Sequence, residues 1–462
     1  MEPMTVRQLL AATGGTLLGS WTDLEAAVTS VETDSRAIHP GALFVALRGE
    51  QTDGHRYITG ALENGAAGCL TEEVPEALLP GKFYIQVPST MQAIGQVARA
   101  YKDRFPIPVI GVTGSVGKTT TKDMIAAVLG VKYRVLKTEG NFNNELGLPL
   151  TLFRLTGKDQ ICVLEMGMNH FGEIDYLTQI VRPDVAVITN IGDAHIENLG
   201  SRENILKAKS EIFGPMTEKD LAVLNGDDPL LRTLDGQVAP SILFCGEKGQ
   251  PPYEARDIQQ LGSKGLSCTV KTPKSEFSVT VPALGRHMIY PVLMACAVGE
   301  KFGMTGEELA QGIRAFVPTK MRMNVIKQGE ITILDDAYNA NPQSMRAALE
   351  VLSQSGGDSR VAILGDMFEL GDLGPELHRS VGEFAGSLGN LSAVVAVGDL
   401  AWNLYDAACQ STIPNVIYAK DKEEAKAFLP DLVKPGAVIL AKASRGMAFE
   451  ELVLEVKRLA KP

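Results

Sequence analysis

The stretch VIGVTGSVGKTTTK, residues 109–122, passes from an apolar strand pattern through a glycine-containing turn into a helical pattern. It nearly matches the phosphate-binding pattern G-x-x-x-x-G-K-[ST], but Val112 stands where that pattern has its first glycine. The shorter pattern T-G-x-x-G-K-T is intact at residues 113–119. Gly114 and Gly117 let backbone N–H groups turn toward an anion, and the start of the following helix favours negative charge. The stretch therefore predicts a nucleotide-phosphate site at the end of a buried strand.

Apolar runs rich in valine and isoleucine alternate with helical patterns from about residue 107 onward. The runs IPVIGV, QICVLEMG, DVAVITNIG and LAVLNGDD are typical of buried parallel strands. After TKMRMNVI the rhythm restarts with ITILDDAY, RVAILGDM, AVVAVGD, NVIYA and AVILAKASRG. The first hundred residues have glycine-rich breaks instead, and proline interrupts the pattern at RFPIP and FVPTK. We therefore predict an α/β protein with three domains, at residues 1–104, 105–317 and 318–462.

Composition narrows the class of protein. The chain has 462 residues, too many for one core, and its formal net charge of −11 argues against general binding to nucleic acid or anionic membranes. No apolar run approaches the roughly 20 residues that span a bilayer, and the start MEPMTVRQLLAATGG does not resemble a signal peptide. The six cysteines are scattered without a C-x-x-C pair. We therefore predict a cytoplasmic protein with reduced thiols, without membrane insertion and without nucleic acid as a partner.

Polar residues gather where the predicted parallel strands end. In open parallel sheets, ligands bind outside the carboxyl ends of the strands. The residues at these ends are Lys118, Glu165, Asn190, Asp193, His195, Asp227, Asp228, Asp335, Asp336 and Asp366. This repeated placement favours a binding site along one edge of the sheets over a set of ordinary loops.

A phosphate loop also needs oxygen ligands for the magnesium ion that accompanies its nucleotide. The hydroxyl of Thr119 or Thr120 and the carboxylate of Glu165 are candidates. His195 follows another strand end, and Lys209 lies in the helical pattern KAKSEIF. Taken alone, a single histidine after a strand is more often structural, and a lysine on a helix is usually solvated.

Several motifs together make the chain recognisable. TGSVGKTT, EMGMNHFGEI, NIGDAHIENLG, KAKSEIF and LDDAYNANPQSM resemble the Mur ligase family, the ATP-dependent amide ligases of bacterial cell-wall precursor synthesis. Within that family, DAYNANP and ILGDMFELG resemble the members that add D-alanyl-D-alanine to UDP-N-acetylmuramoyl-tripeptide. The D-N-P-R motif of the members that add lysine or diaminopimelate is absent, and NANPQ stands at residues 339–343 instead.

The resemblance implies a fold and a reaction. It implies an N-terminal domain for the UDP-linked substrate, a central P-loop ATPase and a Rossmann-like C-terminal domain. ATP would phosphorylate the substrate carboxylate, and an amine would then displace phosphate from the acyl phosphate. Lys118, Glu165, His195 and Lys209 would be the catalytic residues. Thr119 and Glu165 would hold one Mg²⁺, and His195 would hold a second together with Lys209, carbamylated by CO₂.

The resemblance also implies nucleotide contacts. The expected residues are Thr113, Gly114, Ser115, Val116, Gly117, Lys118, Thr119 and Thr120 in the loop, Asn225 at the adenine, His287, Arg322 at the γ-phosphate and Asp336 at the ribose. One segment departs from the family pattern, because GRHMIYPVLMA carries Met288 and Pro291 where asparagines are usual. Adenine recognition by side-chain amides is therefore not expected from that segment.

Substrate contacts are implied in all three domains. TDSR and TDGH match the UDP-binding motifs, GNFNNELGLP the peptide path, and the strand ends of the C-terminal domain the dipeptide site. The residues are Ser35, Arg36, Asp53, His55, Asn143, Asn144, Tyr338, Asn339, Asn341, Lys442, Ser444 and Arg445. The expected partners are UDP-N-acetylmuramoyl-tripeptide and D-alanyl-D-alanine. The protein is expected to be a monomer.

Two other functions stay open at this point. A ligase of the same fold that acts on another acid, such as a folylpolyglutamate synthase, would share the loop and the metal ligands. A nucleotide-binding scaffold without catalysis would share the loop but would not need Glu165, His195 and Lys209 at their spacings. The identity of the third residue of the tripeptide, lysine or diaminopimelate, is also open.

Overall fold

The computed structural model describes residues 1–49 and 52–460. The N-terminal part contains a five-stranded sheet of order β2-β7-β6-β5-β4 and a separate antiparallel pair, β1 with β3. Its strands are β1 (Met4–Thr5), β2 (Thr16–Leu18), β3 (Ala27–Val28), β4 (Ser30–Glu32), β5 (Ala42–Val45), β6 (Gly68–Thr71) and β7 (Phe83–Gln86), and its helices are α1 (Val6–Thr13), α2 (Ile58–Glu63) and α3 (Thr90–Lys102).

The middle of the chain forms a nine-stranded sheet of order β16-β15-β14-β13-β12-β11-β8-β10-β9. Its strands are β8 (Val109–Thr113), β9 (Val135–Lys137), β10 (Ile161–Glu165), β11 (Val185–Ile188), β12 (Leu221–Asn225), β13 (Ser241–Gly246), β14 (Tyr253–Gln260), β15 (Leu266–Lys271) and β16 (Glu276–Val281). Its helices are α4 (Lys118–Leu129), α5 (Gly147–Leu152), α6 (Glu173–Val181), α7 (Ile196–Leu199), α8 (Arg202–Ser210), α9 (Pro229–Arg232), α10 (Ile289–Lys301) and α11 (Gly306–Arg314). Only the β14–β15 and β15–β16 pairings are antiparallel.

The strand order places the phosphate loop at a switch point of this sheet. β8 lies between β11 and β10, and the next strand along the chain, β9, pairs on the far side of β10. At such a point the loops at the carboxyl ends of neighbouring strands diverge and leave a crevice for a ligand. All residues of β8 are buried, so the strand is a fixed support for the loop that follows it.

The C-terminal part forms a six-stranded sheet of order β17-β18-β22-β19-β20-β21, parallel except for the β17–β18 pair. Its strands are β17 (Asn324–Gln328), β18 (Ile331–Asp335), β19 (Ser359–Gly365), β20 (Ala393–Val397), β21 (Asn415–Ala419) and β22 (Ala437–Lys442). Its helices are α12 (Pro342–Gln354), α13 (Gly374–Ser387), α14 (Ala401–Cys409), α15 (Lys422–Leu432) and α16 (Glu450–Leu459). The predicted mainly parallel α/β fold is confirmed.

The missing first glycine of the phosphate loop has a structural explanation. Val112 is an ordinary buried strand residue that pairs with Glu165 on one side and Val187 on the other. Gly114, in contrast, has a φ of +146°, and a Cβ built there would lie 1.9 Å from Thr189 Oγ1. The strand therefore has no need of glycine at 112, whereas the turn requires it at 114.

Helix lengths in the described part of the chain are modest. α13, with 14 residues, is among the longest. Among residues 1–49 and 52–460, no helix combines the length and the apolar character needed to cross a membrane.

His378 connects helix α13 to the loop after β19. The imidazole is fully buried, its Nε2 accepts a hydrogen bond of 2.9 Å from Met367 N–H, and its Nδ1 donates to Gly374 O at 2.7 Å. Since Nε2 accepts a hydrogen bond, the ring is neutral in this arrangement. Burial disfavours the charged imidazolium and therefore lowers the pKa of His378 below its usual 6.5. In the unfolded chain the ring gains its proton near that pH, so the unfolded state binds more protons and stability decreases as the pH falls below about 6.5.

We expect His378→Leu to lower the free energy of unfolding by about 1–3 kcal/mol, because it leaves the Met367 N–H buried without an acceptor. The variant should also lose part of the decrease in stability between pH 7 and pH 5. Urea unfolding at several pH values measures both effects. A matched His39→Leu variant, which removes an exposed imidazole, controls for loss of any histidine. An unchanged pH profile in His378→Leu would contradict this account.

Candidate active site

A cleft of about 620 Å³ opens between the central and C-terminal sheets, where β8, β10, β18 and β22 end. Its volume is in the range of small-molecule sites. The predicted residues that line it are Ser115, Val116, Gly117, Lys118, Thr119, Thr120, Asn143, Asn144, Glu165, His195, Asn225, His287, Arg322, Asp336, Tyr338, Asn339, Asn341, Lys442, Ser444 and Arg445. Thr113, Gly114 and Lys209 lie behind its surface, and the four N-terminal candidates lie away from it.

The phosphate loop is held by its neighbours on the β11 side. Val116 N–H donates to Asn190 Oδ1 at 2.9 Å, and Ser115 Oγ accepts from Gly192 N–H at 2.8 Å. Lys118 Nζ donates to Gly114 O at 2.8 Å, so the ammonium closes over the turn. Burial in the cleft lowers the pKa of Lys118, and the Glu165 carboxylate opposes that shift. The loop therefore presents its cation at the base of the cleft.

Glu165 has a free ligand oxygen. The residue is only 2% exposed, and its Oε1 accepts a hydrogen bond of 2.9 Å from Asn143 Nδ2. Its Oε2 is buried and has no hydrogen-bond partner among residues 1–49 and 52–460. A buried carboxylate oxygen in that state is costly unless a cation or donor meets it. The hard oxygens of Glu165 and of the neighbouring Thr119 fit a magnesium ion.

Carboxylates and imidazoles do not complete a metal site by themselves. Within the described part of the chain, no three His, Cys, Asp or Glu side chains converge as metal ligands. Magnesium usually keeps several waters and takes one or two carboxylates together with substrate phosphates. The arrangement around Glu165 therefore fits an ion that arrives with a nucleotide.

His195 lies where the two sheets meet. It precedes α7 with a φ of +64°, and its Nδ1 is 2.6 Å from Glu369 Oε2. Glu369 belongs to the loop after β19, and the imidazole lowers the pKa of that carboxyl group. Gln343 also crosses between the sheets, because its Oε1 would lie 1.9 Å from a Cβ at Gly192. Glu369 lies within the motif ILGDMFELG but is not among the site residues predicted from the sequence.

Lys209 occupies the last turn of α8 and is 1% exposed. Its pKa lies well below the usual value, chiefly because burial disfavours the ammonium and secondly because Lys118 is nearby. A buried amine that is neutral is nucleophilic, whereas an ammonium is not. The site therefore has the electrostatics that favour reaction of this amine with an electrophile.

Polar and apolar side chains line the cleft around Asn225 and His287. Asn225 Oδ1 accepts from Asp227 N–H at 3.0 Å, which leaves its NH₂ group as a donor. Met288 and Pro291 line this part, and His287 lies beside them. From the predicted set, Asn225 places a side-chain amide in this part of the cleft. Met288 and Pro291 place apolar side chains at the positions where the family pattern has asparagines.

Asp336 and Lys442 are paired with each other. Lys442 Nζ donates to Asp336 Oδ2 at 2.6 Å and to Asn339 O at 2.9 Å, and it is 2% exposed. Asp336 Oδ1 accepts from Met323 N–H at 3.0 Å. Both carboxylate oxygens of Asp336 thus have protein partners, and this pair shapes the wall of the cleft.

The remaining candidates that line the cleft also include residues with local partners. Asn341 caps α12, with its Oδ1 accepting from Ser344 N–H at 2.9 Å. Arg445 pairs with Glu450 at 2.8 Å, while its guanidinium is 6.0 Å from the Tyr338 ring. Asn144 Oδ1 accepts from Gly147 N–H at 2.8 Å, and Ser444 Oγ accepts from Phe368 N–H at 2.8 Å. Tyr338 and Arg445 keep faces toward the cleft.

The N-terminal candidates form two local clusters. Arg36 pairs with Asp34 at 2.7 Å, and this guanidinium lowers the pKa of Asp34 to about 2. His55 Nδ1 is 2.6 Å from Asp53 Oδ1, while its Nε2 accepts from Glu72 N–H at 2.9 Å. Ser35 lies beside Arg36 in the same loop. These residues are not brought to the cleft.

Several acids at the strand ends have structural roles. Asp193 forms a bidentate pair with Arg202, at 2.6 and 2.8 Å. Asp228 caps α9 and accepts from Ile191 N–H at 2.7 Å. Asp366 Oδ1 accepts from Ala401 N–H at 2.7 Å. The sequence interpretation that acids at these ends mark one binding edge is therefore too broad.

Models of the Mur ligase family match most of the chain. The models for the Mur ligase family, catalytic domain; the Mur ligase middle domain; and the Mur ligase, glutamate ligase domain match residues 27–102, 112–299 and 321–445. The UDP-N-acetylmuramoyl-tripeptide--D-alanyl-D-alanine ligase of Bacillus subtilis (strain 168) is 38% identical over 466 residues, covering 99% of each chain.

Solved structures agree with the sequence relatives. MurF from Acinetobacter baumannii has a TM-score of 0.91 at 32% identity, with 99% of each chain covered. The MurF ligase from Thermotoga maritima in complex with ADP has a TM-score of 0.84 at 30% identity, covering 93% of this chain and 97% of that one. Similarity of this extent, at these identities and over nearly the full length, shows that the chain belongs to the Mur ligase family.

Proposed function

We propose that this chain is an ATP-dependent ligase that joins D-alanyl-D-alanine to UDP-N-acetylmuramoyl-tripeptide and releases ADP and phosphate. The relative from Bacillus subtilis that spans the whole chain is named for this activity, and the Thermotoga maritima structure contains ADP. We further propose the division at residues 104 and 317, supported by the separate sheets on either side, and a monomer in the cytoplasm of the cell.

One observation carries the proposal: a single cleft joins the phosphate loop to the strand ends of the C-terminal sheet. A ligase must hold ATP, an acid and an amine within reach of one another, and a cleft shared by two sheets allows this. A carboxylate oxygen of the tripeptide would attack the γ-phosphorus, and ADP would leave. The dipeptide amine would then attack the acyl carbon, lose a proton, and displace phosphate.

The residues of the cleft have distinct roles in this reaction. Lys118 and the loop N–H groups would bind and orient the β- and γ-phosphates. Arg322, from the segment before the C-terminal sheet, would contact the γ-phosphate, because its Nη2 is 3.4 Å from Thr119 Oγ1 at the end of the phosphate loop. Tyr338 and Arg445 would line the dipeptide end. Closure of the C-terminal part over the cleft would exclude water from the acyl phosphate.

Thr119 and Glu165 would hold one magnesium ion. His195 and carbamylated Lys209 would hold a second. The unpartnered Glu165 oxygen and the buried Lys209 amine support this assignment. Bound Mg²⁺ would neutralise charge where the carboxylate meets the γ-phosphate. In this scheme the Glu369 carboxylate, 2.6 Å from His195 Nδ1, would favour one orientation of the ring, as carboxylates often do for histidines that bind metals.

For the N-terminal domain we propose the UDP end of the substrate. Arg36 has an exposed guanidinium suited to a diphosphate, and Ser35 adds a hydroxyl. Asp53 and His55 already bond each other, so we assign them to shaping that loop. Asn143 and Asn144 would line the path between this domain and the cleft.

The function is tested by phosphate release from ATP with UDP-N-acetylmuramoyl-tripeptide, in the presence and absence of D-alanyl-D-alanine. Release that requires both substrates is expected. Separate reactions with the lysine and diaminopimelate tripeptides identify the third residue. Release with UDP-dipeptide plus lysine or diaminopimelate would instead place the enzyme one reaction earlier. Release only with a folate and glutamate, or ATP binding without any release, would favour the other ligase or the scaffold.

A further inference from the structure

The segment between the central and C-terminal sheets, residues 317–323, is bonded to the helix that follows the phosphate loop. Thr319 Oγ1 donates a hydrogen bond to Asp123 Oδ2. Asp123 lies on α4 and is 7% exposed. Its other oxygen, Oδ1, is 2.6 Å from Lys137 Nζ and 3.2 Å from Lys122 Nζ. The two lysines therefore balance the buried charge, and Oδ2 is left for the linker.

The linker then makes a strained turn. Met321 and Met323 have φ values of +60° and +52°, in the left-handed region that residues with a Cβ seldom adopt. Both residues bond to the loop that follows β18, because Tyr338 N–H donates to Met321 O at 3.2 Å and Met323 N–H donates to Asp336 Oδ1 at 3.0 Å. Such a backbone persists only where the surroundings hold it on both sides.

Arg322 lies at the centre of this turn. Its N–H donates to Thr319 O at 3.2 Å, its Cζ is 4.1 Å from the centre of the Tyr338 ring, and its Nη2 is 3.4 Å from Thr119 Oγ1. The guanidinium thus reaches the phosphate loop from a turn that is anchored to its surroundings. On the central side, that anchor is the Thr319–Asp123 hydrogen bond.

We propose that Asp123 and Thr319 are positioning residues that hold the linker turn so that Arg322 meets the γ-phosphate of bound ATP. This inference rests on the proposed function in assigning Arg322 to the γ-phosphate. It also implies that α4, which begins at the phosphate loop, transmits the state of the nucleotide to the linker of the C-terminal domain. Thr319 lines the cleft, whereas Asp123 lies behind it on α4, so their hydrogen bond connects the wall of the cleft to the helix that follows the phosphate loop.

The test compares ATP with ADP. In Thr319→Val, which removes the hydroxyl but keeps the shape, the Kd of a non-hydrolysable ATP analogue is expected to rise about tenfold, through loss of the charge-assisted contacts of Arg322. The Kd of ADP should stay within about twofold, because ADP lacks the γ-phosphate. Thr319→Ser, which restores a hydroxyl, should recover ATP affinity. Thr332→Val, at the second position of β18, is the matched control for loss of a threonine hydroxyl.

A double-mutant cycle then asks whether Thr319 acts through Arg322. On an Arg322→Ala background, Thr319→Val should add no further loss of ATP affinity. Additive losses, equal losses for ATP and ADP, or unchanged ATP affinity in Thr319→Val would each overturn the proposal. Calorimetric binding makes these outcomes independent of turnover, so a failure of the proposed ligase activity would be seen separately in the wild-type assay.

Discussion

Lys118→Ala is expected to lower kcat for phosphate release by about 100- to 1,000-fold. This is the usual effect of removing one preorganised group that stabilises charge in the transition state. Lys118 Nζ lies over the loop at the base of the cleft, bonded to Gly114 O, where the β- and γ-phosphates would bind. Steady-state phosphate release with tripeptide, D-alanyl-D-alanine and ATP measures the change. Thermal unfolding should show little loss of stability, because among residues 1–49 and 52–460 the ammonium donates to one protein acceptor, Gly114 O.

Lys219→Ala, which removes an exposed lysine in the loop before β12, is the matched control and should keep wild-type turnover. Full turnover in Lys118→Ala would contradict the assignment of the loop as the ATP site. A scaffold would behave differently from a ligase, since it would show no turnover in the wild type and no change in partner binding on substitution.

Lys209→Ala should lose at least about 100-fold in activity and regain part of it when a short-chain carboxylic acid is added. The added carboxylate would occupy the space of the carbamate and return the missing oxygen ligand. Burial beside Lys118 lowers the pKa of the amine, so a larger fraction of it is neutral and able to react with CO₂ than in an exposed lysine. Phosphate release against acid concentration measures the recovery.

Lys207→Ala provides the control, because Lys207 lies on the same helix but is exposed, with its ammonium 5.9 Å from the Phe171 ring centre. That variant should keep its activity and show no response to added acid. A second readout is independent of activity: wild-type protein in ¹³C-bicarbonate should show a carbamate carbon signal that Lys209→Ala lacks. No rescue at any acid concentration, together with no such signal, would refute carbamylation.

The sequence by itself determined the strand–loop–helix unit at residues 109–122, four parallel strands of the central sheet (β8, β10, β11 and β12) and the five parallel strands of the C-terminal sheet, but not β9, β13 and β14. These features depend on short-range patterns: apolar runs bury themselves, and glycine permits the backbone of a tight turn. It also indicated the family, because motifs spread over most of the chain resemble those of the Mur ligases. Glu165 at the end of β10 followed from the same strand pattern.

Only the tertiary structure decided which side chains pair with which. Thr319 and Asp123 are 196 residues apart in the chain, and Lys442 and Asp336 are 106 apart. Glu369 reaches His195 from another sheet, and Lys209 lies under the cleft rather than in solvent. The physical reason is that local patterns fix the backbone of each element, whereas charge pairing and burial depend on which elements the fold brings together.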